Sequence, residues 1–75
     1  MSLQEDLAGE ISVLEKEMHE LENKRLRSMA ALLEAVINKS DPPAEDAKYF
    51  RQYTAEIDTR RNRVIELTSR LRALA

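Results

Sequence analysis

There is no cysteine in this sequence, no tryptophan, and a single glycine and histidine. Without cysteine there is no disulfide staple, no thiolate nucleophile and no cysteine-ligated metal. One glycine is too few for the loops that cradle phosphate. Aromatic residues make up 4% of the chain, where a β-sheet domain needs more of them and more turn residues. No apolar run approaches the ~18 residues that suggest a membrane-spanning helix. The opening MSLQEDLAGE is acidic where a signal peptide is basic and then apolar. A cytoplasmic protein with no membrane insertion is therefore expected.

What is present is charge and aliphatic bulk: 35% charged residues beside 43% apolar ones. That balance suits long helices and is too apolar for a disordered tail. Seventy-five residues bound one small domain, and so short a chain rarely buries a self-sufficient core without a staple. Oligomerisation or a partner is expected. The net charge of −2 conceals an asymmetry: residues 1–37 hold four Lys and Arg against eight acids, and residues 51–75 hold six Arg against three acids. Two helices of opposite sign attract each other.

Ser2 followed by Glu5 forms a capping box, and Asp6 places further negative charge at a helix start. From there Leu7, Ile11, Leu14, Met18 and Leu21 recur in heptad steps. The next two seam positions are Arg25 and Ser28, and apolar residues resume at Met29, Leu32 and Val36. This phase change reads as a stutter that places Arg25 on the seam. A later seam, Phe50, Tyr53, Ile57, Arg60, Val64, Leu67, Leu71 and Leu74, alternates steps of three and four with one charged member. Between the seams stands NKSDPPAED, residues 38–46. The prolines end the first helix, and Asp41 is placed to cap a second whose first turn holds Pro42 and Pro43.

The fold class that follows is all-α: an antiparallel two-helix hairpin, completed by a partner or by dimerisation into a four-helix bundle. Helix one is expected over about 3–38, a corner over 39–42 and helix two over about 42–74. If facing residue numbers add to about 82, Phe50 meets Leu32 and Tyr53 meets Met29. Arg60 then meets Glu22, and Arg25 lies level with Asp58, so four charges are expected to set the register. Beside the seam a second stripe, Leu26, Ala30, Leu33 and Ile37, approaches the corner, with Tyr49 just across it. A helix apolar on two faces is usually covered on both. Those residues, with Phe50 and Tyr53, are the expected partner-binding set.

No constellation of catalytic type is visible, so a non-enzyme without cofactor or metal is expected. His19 follows seam residue Met18 in EKEMHE and lacks the Glu-x-x-His spacing of a bundle metal site. The stretch SDPPAEDAKYFRQYTAEIDTRRNRVIEL, from Ser40 to Leu67, resembles the second half of the small helical hairpins of type III secretion systems. The similar layout is a Pro- and Asp-containing corner, a Tyr-centred helix start and a long amphipathic C-terminal helix. The charged first helix suits the needle-subunit co-chaperones better than the needle subunits. That resemblance implies a helical-repeat chaperone as partner and protection of a secretion needle subunit, with Tyr49, Phe50 and Tyr53 anchoring the corner. Two other readings stand beside it. One is a self-associating scaffold, a homodimeric four-helix bundle. The other is a nucleic-acid-binding regulator using Arg60, Arg61, Arg63, Arg70 and Arg72, ranked last because acids interleave with those arginines.

Overall fold

A computed structural model describes residues 2–75. Two helices, α1 (Leu3–Ile37) and α2 (Ala44–Ala73), fold back on each other as a hairpin measuring 54 × 16 × 16 Å. The all-α antiparallel hairpin expected from periodicity is thus the architecture observed.

α1 begins as its sequence dictates. Ser2 is extended, and its hydroxyl accepts the Glu5 amide at 3.1 Å while its carbonyl accepts the Asp6 amide. The first of these bonds satisfies one of the amide groups that a helix start leaves without partners, and the second opens the helical ladder. Gly9 lies within α1 without ending it, and a Cβ added there meets nothing within 4 Å.

The corner differs from expectation at its second half. α1 closes with Lys39 in the left-handed region at φ 54. The Ser40 amide donates to the Ala35 carbonyl at 2.9 Å, and the Lys39 amide donates to Val36 at 3.1 Å. That pair of bonds is the Schellman arrangement, built here on lysine instead of the usual glycine. α2 then starts at Ala44, with Pro43 at the N-cap position and no side-chain cap. Asp41 is not the cap, and neither proline lies inside the helix. The reason is local: each proline bars the residue before it from helical backbone, so Asp41 and Pro42 are both excluded. Pro43 is the first residue free to lead into a helix, and its carbonyl accepts the first helical bond from the Ala47 amide at 3.1 Å.

The seam of α1 also differs. Arg25 is half-buried, Ser28 and Ala35 are buried, and Met29 and Val36 are exposed. The heptad therefore continues in phase through Arg25, Ser28, Leu32 and Ala35, and no stutter occurs. Once α2 packs along α1, the facing positions are set by the shared 3.5-residue period, whatever residues fill them. Small Ser28 and Ala35 alternate here with the larger Arg25 and Leu32, and Phe50 of α2 is half-buried. Among the described residues, Ile57 and Leu67 are the large side chains wholly removed from water.

The cross-helix contacts place the register about one helical turn short of the expected frame. Arg25 Nη1 donates to Thr54 Oγ1 at 3.3 Å, and Gln4 Nε2 donates to the Leu74 carbonyl at 3.5 Å. Arg60 meets Glu17 at 3.8 Å, not Glu22, and Asp58 pairs within its own helix with Arg61 at 3.1 Å. The difference is the same at both ends of the hairpin, so it is a slide of one helix along the other and is separate from the seam of α1. Opposite charge does join the helices, through Glu10–Arg63 at 3.2 Å and Glu17–Arg60, and each pair sets an α1 acid against an α2 arginine.

Candidate protein-interaction surface

The corner-proximal part of α1 shows its apolar residues to solvent. Leu26 is 56% exposed, Leu33 54%, Val36 69% and Ile37 77%, with Met29 at 37%. At helical spacing these residues and Ala30, also exposed, lie along one flank of the seam with no charged residue among them. Burial cannot explain their hydrophobicity, since the core runs through Ser28, Leu32 and Ala35. The expected stripe is thus exposed, and it is wider than expected by Met29 and Val36. Carrying the heptad unbroken past Arg25 and Ser28 is the reading of the sequence that finds those two.

The aromatic residues divide between two grooves. Phe50 lines a groove with Glu22, Asn23, Arg25, Leu26 and Met29, so it continues the stripe across to α2. The Arg25 guanidinium lies 5.8 Å from the Phe50 ring centroid, within cation–π range. Tyr53 lines the other groove, with Glu17, Leu21, Lys24, Glu56 and Arg60. Tyr49 stacks on Tyr53 with ring centroids 6.0 Å apart and planes 18° from parallel. The structure therefore separates Tyr49 and Tyr53 from the stripe with which the sequence groups them. The Tyr49 hydroxyl donates to Glu45 Oε1 at 3.1 Å, and this bond to a carboxylate raises its pKa above the usual 10.

Charge on α2 is largely spoken for. Arg61 lies against Asp58, Arg63 against Glu66 and Glu10, and Arg70 against Glu66 at 2.7 Å. Hydrogen bonds from Arg63 to Glu66 and then Glu10 raise its pKa further above an already high value. Arg60 is the exception in kind. It sits on the seam with its side chain 28% exposed, and its buried Nε has no hydrogen-bond partner. The 3.8 Å approach of Glu17 is close enough for attraction and too long for a hydrogen bond. Nη1 donates back to the Glu56 carbonyl at 3.1 Å.

Among the described residues no group of three or more His, Asp or Glu side chains is arranged to hold a metal ion. No described helix is long and apolar enough to cross a membrane. Comparison with protein-family models, with curated proteins and with solved structures found no match to this chain.

Proposed function

We propose that this chain is a non-enzymatic protein-interaction module whose working surface is the α1 stripe Leu26, Met29, Leu33, Val36 and Ile37. The exposure of that uncharged stripe, beside a seam in which Ile57 and Leu67 are, among the described residues, the large side chains fully buried, carries the reading. A hairpin with so thin a core gains most by burying a second face, and an apolar helix flank fits the helix-in-groove mode of recognition. The resemblance of residues about 40–70 to the secretion hairpins supplies the partner class: a helical-repeat chaperone, with the pair protecting a needle subunit as a cytoplasmic co-chaperone. Phe50 extends the docking surface onto α2, while Tyr49 and Tyr53 brace the opposite side of the corner.

The test is coexpression with a type III secretion helical-repeat chaperone from the same genome, using the native chain and Leu33→Asp. A complex that survives gel filtration with the native chain and is lost with the variant supports the reading, provided helicity is retained. Absence of any complex at micromolar concentration refutes the co-chaperone assignment, and a complex indifferent to Leu33→Asp refutes the surface.

A further inference from the structure

We infer that, when no other partner covers it, the stripe closes on a second copy of this chain, the two hairpins crossing antiparallel about Leu33 with only their corner-proximal parts overlapping. This rests on reading the stripe as a docking face.

Area is the first argument. At their exposures the five large side chains leave on the order of 500 Å² of apolar surface in one patch, at the upper range for a soluble monomer. Two such patches in contact bury about 1,000 Å², where specific interfaces begin, and the surrounding rim adds to that. A twofold contact also requires that the patch tolerate itself. The flank from Leu26 to Ile37 does so, because it brings no charge to the axis.

Placement decides the orientation. The stripe spans twelve residues, about 18 Å of helix, within a hairpin 54 Å long. Farther toward the N-terminus the same flank carries Glu15, His19 and Glu22, all exposed. A parallel pairing in register sets each of those acids against its own copy and aligns the helix dipoles. Crossing antiparallel about Leu33 sends the polar halves in opposite directions and opposes the dipoles. Met29 then faces Ile37 of the second copy, Ala30 faces its Val36, and the small Ala30 lets the backbones approach. At the overlap four helices surround one apolar centre.

The absence of cysteine makes the test clean. Leu33→Cys places a thiol beside the proposed axis, and Val13→Cys places one on an exposed residue of α1 outside the stripe. Mild oxidation should link Leu33→Cys into a covalent dimer and leave Val13→Cys monomeric on a denaturing gel. Light scattering of the native chain should give a dimer mass that falls on dilution. Leu33→Asp should weaken that dimer at least about 100-fold, since it sets unpaired charges against each other at the axis. A monomeric mass at every micromolar concentration overturns the inference, as does a dimer linked through Val13 and not Leu33. A monomer that still forms the Leu33-dependent complex with the repeat chaperone overturns self-association alone. A chain that does neither overturns the docking face as well.

Discussion

Replacing Arg60 with leucine should make the hairpin more stable. The guanidinium occupies a seam position between Ile57 and Val64, with about three-quarters of its side chain out of water and its Nε unpartnered. Leaving a buried donor unsatisfied costs roughly 1–3 kcal/mol, and leucine removes that cost. Leucine at a seam site of this burial contributes about 1.5 kcal/mol relative to solvent, although the aliphatic stem of arginine already supplies part of it. Against these stand the long-range attraction of Glu17, whose side chain is 40% exposed, worth at most about 1 kcal/mol, and the bond to the Glu56 carbonyl, worth about 1 kcal/mol. The balance is about 1 kcal/mol in favour of leucine, or a melting temperature higher by roughly 4–8 °C in a chain of this size. Arg60→Ala should move the other way, because it removes the stem together with the head. Urea unfolding followed by circular dichroism gives both changes, with the slope checked for constancy. If Arg60→Leu lowers stability by more than 1 kcal/mol at unchanged oligomeric mass, the guanidinium stabilises the seam and this reasoning is wrong.

Lys39→Gly should stabilise by about 0.5–1 kcal/mol, since only glycine adopts φ 54 without steric cost. Gly9→Ala should gain about as much from helix propensity, there being open space for the methyl group. Thermal melts of the two single variants and the double variant check both, with additivity expected for sites so far apart. Ile57→Ala should cost about 2–5 kcal/mol as a fully buried side chain, enough to lower helicity visibly at room temperature, whereas Val13→Ala should be near neutral. The Tyr49 hydrogen bond to Glu45 is present below the ordinary phenol pKa of 10 and is lost as pH rises through the raised folded value. Its small contribution to stability should therefore disappear only at strongly alkaline pH. Phenolate absorbance should show Glu45→Gln moving Tyr49 back toward 10.

The seam of α2 was readable because seven of its eight positions are apolar and its steps never vary. The capping of α1 by Ser2 was equally plain, since it depends on residues three and four apart in sequence. The seam of α1 misled because its corner-proximal members, Ser28 and Ala35, are small, while larger residues lie one position away on the flank. A search for apolar residues follows bulk and therefore slides onto Met29 and Val36. The division of Tyr49 and Tyr53 from the stripe was hidden for a related reason. Sequence spacing gives each residue's angle on its own helix, but the groove it enters depends on how the two helices are set together.

Local chemistry alone determined that this chain is helical, that it turns once, and that the turn lies at two prolines. Each of those follows from backbone sterics and periodicity within a few residues. The tertiary structure decided the register, the seam membership of Ser28 and Ala35, and so which hydrophobic residues are left facing water. Those choices belong to the pair of helices: an unbroken heptad along α1 is compatible with them, but a residue is buried by what stands opposite it.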